Sequence, residues 1–363
     1  YKLLWAPIEK ELQNVKSIYF STSGKLNQLN IGAIPIDNDR ILSDKYNLIQ
    51  LGSTRQLVYK QNINIENQNA VLFGGIQYTA DSSKVKVTNF NNSSKAKIEN
   101  STALDSKPII PISSGNLWNY LPGTENEITI IEKALKSTEI SARVYRNYEA
   151  SEEEFKSIGT KNSTSPRIVH LATHGYFFSV DKNSIVPEGK IANKNLINED
   201  TLNSALNYVH VINDKRMPVF KVSNNPLIRS GLILAGANYS WQYGVPINEG
   251  MEDGILTAYE ISQMNLSNTE LVVLSACETG LGDIQGNEGV YGLQRAFKMA
   301  GVKYIIMSLW QVPDQQTALL MTTFYKKWLS DKMSIPKAFH AAQKELRDLG
   351  LDPYQWAGFV LVE

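Results

Sequence analysis

LVVLSACETG, residues 271–280, carries a run of aliphatic residues straight into a glycine-rich turn, and in that turn stands Cys277, the one cysteine of the chain. A short apolar run bounded by turn signals reads as a buried strand, and the stretch from Gly289 to Ala300 has the periodicity of a helix that follows it. Working outward, the same beat recurs. RIVHLAT (167–173) is a second buried strand, Leu232–Ala235 a third and Tyr304–Leu309 a fourth, with helices expected at Gly254–Met264, Gln315–Leu329 and Pro336–Leu349 and a last strand at Trp356–Val362. Strands alternating with amphipathic helices predict an α/β fold, a mostly parallel sheet flanked by helices on both faces.

Upstream the signals change. Val15–Phe20 and Leu29–Ile34 read as strands with hairpin-type connections after a short helix, and Val71–Tyr78 as another strand. From about 79 to 107 the chain is rich in Asn, Ser and Lys, which reads as a mobile surface loop. Thr124 is in position to cap a helix running to about Lys136, with Glu127 in capping-box register. Ala142–Tyr145 is a short strand, and Ser151 opens a further helix. A second polar stretch, about 179–225, interrupts the order. No repeat of fixed period is present.

Composition bounds the function. Lys plus Arg equals Asp plus Glu, 36 against 36, so no overall field recruits nucleic acid or an anionic membrane. No apolar run approaches the roughly 20 residues that span a bilayer. One cysteine allows neither an internal disulfide framework nor a Cys-rich zinc site, and it suits a reducing cytoplasm. The chain of 363 residues opens on Tyr1 rather than Met, as a piece of a longer protein would.

Two reactive side chains fall at strand ends, where ligands bind in open α/β sheets. His174 follows RIVHLAT and precedes Gly175; Cys277 follows LVVLS. If the two strands are neighbours, imidazole and thiol meet across the top of the sheet. A thiol with a pKa near 8.5 is mostly protonated at neutral pH, and an adjacent imidazole can take that proton. The backbone amides of Gly175 and Cys277 could then hold an oxyanion. The alternative is a small buried cysteine and a hydrogen-bonded histidine.

The strings HLATHGYF, DGILTAYEI, LVVLSACETGLG, GNEGVYGLQRAFKMAGVKYIIMSLWQVPD and WAGFVLVE together resemble the CHAT family, caspase-like domains usually found downstream of TPR repeats in bacterial proteins and related to caspases and separases. The matches cover about Pro166–Glu363, and LPGTENEI (121–128) looks like the front of such a domain. The resemblance implies a caspase-like fold with a catalytic part at 166–363 and a degenerate, pseudo-caspase-like part at 1–165, which has neither His nor Cys. It implies a cysteine endopeptidase with His174 as base and Cys277 as nucleophile, and no cofactor. The alternative is a catalytically silent interaction module, or a zymogen awaiting a partner. The His-to-Cys interval is about twice the roughly 50 residues seen in caspases, which the 179–225 insertion accounts for. Ser308 and Trp310 fall where caspases pair backbone with an extended peptide. Asp314 matches an acidic residue that separases place in the pocket for the side chain before the cut. Asp253 and Glu252 are alternative pocket acids, or simply helix N-terminal charges. Related proteases answer to a defence complex or cut gasdermin-like substrates, so the implied partners are a protein or peptide substrate, upstream TPR repeats and an activator, with neither nucleic acid nor membrane bound directly. No third catalytic residue is assignable.

Other motifs carry less. Gly280, Gly282 and Gly286 are spaced GxGxxxG, one residue too long for a dinucleotide loop. His170 and His174 share a strand face about 13 Å apart and have no ligand partners for a metal. His170 reads as a buried hydrogen-bonded residue, and His210 and His340 as exposed.

Overall fold

The structure, a computed structural model, describes residues 1–58, 66–80, 117–138, 140–160, 164–178, 209–212, 215–218, 223, 225–275, 288–310 and 312–363. Cys277, the glycine turn that follows it and most of the polar stretch at 79–107 lie outside the described residues.

Strands β1 (Ser17–Phe20), β2 (Asn47–Gln50), β3 (Ala70–Ile76), β4 (Ala142–Asn147), β5 (Ile168–Leu171), β11 (Leu271–Leu274), β12 (Tyr304–Ser308) and β13 (Phe359–Val362) form one eight-stranded sheet in the order β1-β2-β13-β12-β11-β5-β3-β4. Every pairing is parallel except β12 with β13. A smaller antiparallel sheet has the order β10-β9-β6, from β6 (Gly175–Phe177), β9 (Ser230–Ile233) and β10 (Ile255–Thr257). Within the insertion β7 (Val209–Ile212) pairs with β8 (Lys215–Pro218). The helices are α1 (Leu42–Lys45), α2 (Pro122–Lys136), α3 (Glu152–Lys156), α4 (Ala237–Tyr243), α5 (Ala258–Ser262), α6 (Glu288–Met299), α7 (Asp314–Tyr325), α8 (Ile335–Asp348) and α9 (Pro353–Trp356). No described helix is long and apolar enough to cross a membrane.

Alternation along the strands builds two apolar layers. Val169, Leu171, Val272 and Leu274 face one layer with Phe155, Leu293, Phe297 and Ile261. Ile168, Leu271, Val273 and Ile306 face the other with Ile128, Ile131, Leu320, Phe324 and Phe339. Because both faces of β11 are covered, its sequence is continuously apolar. This is the mixed α/β, caspase-like architecture that the alternating pattern predicts. The boundary expected near 165 falls inside the large sheet, which takes β1–β4 from one side of it and β5, β11, β12 and β13 from the other.

Several local expectations change. β1 pairs in parallel with β2, a strand the sequence did not signal, and Leu29–Ile34, expected as a hairpin-connected strand, instead holds a 3-10 turn at Ile31–Ala33. The expected helix from Gly254 begins as strand β10 and turns helical only at Ala258, where Thr257 caps the helix by accepting the Glu260 N–H. Helix α2 starts at Pro122, so Thr124 is not its cap; the Thr124 hydroxyl donates to Leu121 O (2.7 Å) and accepts the Gly75 N–H (3.0 Å). His340 is half-buried, with its Nε2 shielded from solvent.

Helix α2 lies close on β3 because Gly74 has no side chain: a Cβ there would stand 2.8 Å from both Ile128 Cγ2 and Thr124 O. Gly74→Ala should lower unfolding stability in urea by about 1–3 kcal/mol through overpacking. Gly52→Ala, whose Cβ would meet Gln294 Nε2 at an ordinary 3.4 Å, should stay within about 0.5 kcal/mol of the parent. Equal midpoints for the two variants would contradict this packing.

Candidate functional site

Strands β5 and β11 are adjacent and parallel, with Leu171 opposite Leu274. His174 lies three residues beyond Leu171, and Cys277 lies three beyond Leu274. The neighbouring-strand condition that the sequence left open is met, with Cys277 itself outside the described residues.

His174 itself lies within the described residues. Its side chain is 1% exposed. The backbone is held by β9, since Ile233 N–H donates to His174 O at 2.9 Å. The preceding Thr173 donates its hydroxyl to Ile233 O and lies 3.1 Å from the Tyr78 hydroxyl. The imidazole sits between two rings, Tyr78 at 4.9 Å and Trp118 at 5.0 Å between centroids. Its Nε2 is 2.7 Å from Asn119 O. A carbonyl oxygen can only accept, so Nε2 carries the proton, and in the neutral imidazole Nδ1 is then the basic nitrogen. Such an arrangement can orient a general base and stabilise its charged form.

Gly175 starts β6 and pairs with Leu232. Ser308 ends β12 opposite Phe359 and is buried. The edges of β12 are taken by β11 and β13, and the Leu309 N–H donates to Gly358 O at 2.7 Å. A peptide could therefore add its backbone only beyond that point. Trp310 donates from Nε1 to Tyr354 O (2.8 Å) and stacks on the Tyr354 ring. Asp314 is exposed at the first turn of α7, with its carboxylate against Gly123. Gly123 is a few residues beyond Asn119, so one segment, 119–123, touches His174 at one end and Asp314 at the other.

Asp253 and Glu252 belong to a different neighbourhood. Glu152, Glu252 and Glu260 bring carboxylate oxygens within 4.8 Å of one another, the spacing of a cation site. Lys156 Nζ stands among them at 2.7, 2.8 and 2.6 Å, so the cation of this cluster is an ammonium. Burial works against that charge, but Glu152 and Glu260 outweigh it and raise the lysine's pKa. Burial also holds Glu152 well above the usual carboxylate range, helped by the charge of Asp253. Asp253 is pushed up to about 6, chiefly by burial and against the stabilising Ile255 N–H, which it accepts at 2.8 Å. The pocket that Asp253 and Glu252 line with Tyr148, Ser151 and Met251 encloses only 30 Å³, room for about one water. A larger cavity of 670 Å³, between α8 and the β2 side of the sheet, is lined by none of the predicted site residues.

Sequence reasoning missed two groups. Asn119 acts through its backbone, which leaves no side-chain signal. Glu127, expected in a capping box, is instead buried: its Oε1 lies 3.0 Å from His170 Nε2, and its Oε2 accepts the Ser275 hydroxyl at 3.0 Å. His170 Nδ1 is 3.3 Å from the Tyr325 hydroxyl. One carboxylate from α2 thus ties β5 to the end of β11. The expected buried role of His170 is the one observed.

The acidic cluster gives a pH signature. Folding raises the Asp253 pKa above its unfolded value of about 3.9, so the folded state keeps a proton that the unfolded chain releases between roughly pH 4 and 6. Ionising it in the fold subtracts stability as the pH rises through that window. Asp253→Asn should flatten the decline and gain about 1–3 kcal/mol at pH 7, measured by urea unfolding from pH 4 to 8. A loss at pH 7 would show that the carboxylate is stabilised by its partners.

Comparison with known proteins agrees with this architecture. Two tetratricopeptide repeat proteins are similar over part of the chain. Tetratricopeptide repeat protein 28 of Mus musculus is 31% identical over 111 residues, and that of Homo sapiens 29% identical over 114 residues. The alignments cover 30% and 31% of this chain and 4% of each relative, so the chain matches a small part of much longer TPR-named proteins. The family model for the CHAT domain matches residues 1–363, and with the caspase-like sheet and the strand-end histidine already in place, the chain belongs to the CHAT domain family, a caspase-like peptidase-type domain.

Proposed function

We propose that this domain is a cysteine endopeptidase that cuts a protein substrate with a Cys277–His174 dyad. The observation that carries the reading is His174 at the carboxyl end of β5, in register with the strand that runs into Cys277, with Nε2 bonded to Asn119 O. His174 Nδ1 takes the thiol proton, and the thiolate adds to the scissile carbonyl carbon. The Gly175 and Cys277 amides hold the oxyanion. The C–N bond then breaks, His174 passes its proton to the leaving amine, and a thioester remains on Cys277. Water, deprotonated by His174, adds to the thioester and releases the acid and the thiol. Asn119 O keeps the imidazole oriented and stabilises its charged form in both halves of the cycle.

Asp314, exposed and linked to the His174 neighbourhood through 119–123, is the acid that would favour Arg or Lys before the cut; Asp253, screened by Lys156, is the weaker candidate. The balanced charge of the chain supports a protein rather than a nucleic acid partner, and the TPR-named relatives support upstream repeats as the place where an activator engages, as in a cytoplasmic bacterial defence or cell-death protease. A second reading has an observation of its own. His174 is 1% exposed beneath Trp118, which favours a latent form that a partner must open.

Intact-mass labelling with a peptidyl acyloxymethyl ketone separates these. An Arg peptide should add once, at Cys277, faster than a Leu peptide. His174→Ala should slow it at least about 100-fold, and Asp314→Asn should erase the Arg preference. Labelling by a small thiol reagent but by neither peptide would favour the latent reading, and peptide labelling that ignores His174 would remove the dyad.

A further inference from the structure

We propose that Asn238 is the positioning residue of the His174 site: its buried side-chain amide holds the backbone of Trp118, one of the two rings against the imidazole, and with it the carbonyl bonded to Nε2, while its main-chain N–H holds the backbone of Tyr78, the other ring. The inference rests on the dyad reading and names what keeps its base in place.

Asn238 lies on α4 and is 3% exposed. Its Oδ1 accepts the Trp118 N–H at 2.8 Å, and its Nδ2 donates to Trp118 O at 3.0 Å and to Thr79 Oγ1 at 3.1 Å. Its own backbone N–H donates to Tyr78 O at 2.9 Å. Tyr78 and Trp118 are the two rings against His174, and Asn119, whose carbonyl meets Nε2, follows Trp118 directly. Four hydrogen bonds from one residue therefore converge on the surroundings of one imidazole.

The chemistry requires an amide. Trp118 presents a backbone donor and a backbone acceptor to the same side chain, as it would to a neighbouring strand, and only a group with an adjacent acceptor and donor answers both. A carboxylate could accept the N–H but could not donate to the carbonyl, and an aliphatic side chain of similar size could do neither. Removing the amide leaves the Trp118 N–H and carbonyl unpaired, at about 1–3 kcal/mol each. The segment relieves that cost by moving, and Asn119 O moves with it. Trp118 also packs edge-on against Trp241 of the same helix, at 4.9 Å between centroids. That contact keeps the ring near α4 and leaves the amide to set the backbone's register.

Two readouts follow, one of which needs no catalysis. In ¹⁵N-labelled protein the His174 Nε2–H should give a slowly exchanging imidazole proton resonance, assigned with His174→Ala; the chain holds only 4 histidines. Asn238→Ala should lose that protection. The rate of Cys277 alkylation by iodoacetamide should rise with a midpoint below the ordinary thiol value near 8.5 in the parent. In Asn238→Ala the midpoint should move toward 8.5 and the rate at pH 7 fall about 10-fold, a change that a purely structural role would not produce in a folded variant. Asn238→Asp keeps the acceptor and loses both donors, so it should move both readouts the same way and decides the matter if Asn238→Ala does not fold. Thr79→Val removes one bond outside the Trp118 clamp and should resemble the parent. A protected Nε2–H resonance and an unchanged alkylation midpoint in a folded Asn238 variant would overturn the proposal. A parent midpoint near 8.5 would instead count against the dyad, while the Nε2–H resonance still decides what Asn238 does.

Discussion

The pairing of β5 with β11, Leu171 opposite Leu274 in parallel register, is the constraint on which the carboxyl end of the sheet depends. A slip of one residue would send every side chain of a strand to the opposite face. Here that slip would exchange Val272 and Leu274 with Leu271 and Val273 between two apolar layers of different shape. The register is therefore set by burial along four residues on each strand. It brings the ends of the two strands, Leu171 and Leu274, to equivalent heights. Glu127 reinforces the same junction from below, with its carboxylate shared between His170 on β5 and Ser275 after β11.

Above the strand ends, three segments distant in sequence converge on one imidazole: the end of β3 through Tyr78, the approach to α2 through Trp118 and Asn119, and the start of α4 through Asn238. Such a site is rigid where its groups are buried and fully bonded. Rigidity around the base and burial of its ring are two sides of one arrangement. The first orients the imidazole, and the second limits solvent access to it. The Asn119–Gly123 segment runs from the imidazole to the start of α2 beside Asp314.

The central strands were legible because covered strands read as unbroken apolar runs, and LVVLS and RIVHLAT have few other interpretations at their length. The stretch from Gly254 was not: Ile255–Thr257 is short enough to suit either period, and pairing with β9 decided for strand. Val15–Phe20 and Leu29–Ile34 read as hairpin-connected strands because turn residues lie between them, but the chain crosses over through 3-10 turns and α1, and β1 pairs in parallel with β2 instead. Glu127 shows a different limit. Its spacing from Thr124 satisfies the capping pattern, but only the fold reveals a buried histidine and serine within reach. Asn119 could not have been found at all, because its contribution is a backbone carbonyl. Asp253 looked like a pocket acid until Lys156 and Glu152, from a helix about 100 residues earlier, closed around its neighbours. The division expected near 165 rested on where the family resemblance becomes strong and, in part, on the absence of His and Cys before it. Strand order is set by non-local pairing, and it places β3 beside β5.

The account stands on His174 meeting the Cys277 sulfur with one nitrogen while the other holds Asn119. A crystal structure of the domain with a peptidyl ketone bound at Cys277 tests this most directly. The account predicts the sulfur about 3–4 Å from His174 Nδ1, with Nε2 still bonded to Asn119 O. A sulfur facing Nε2, or a His174 that remains beneath Trp118 with the adduct out of its reach, would contradict it.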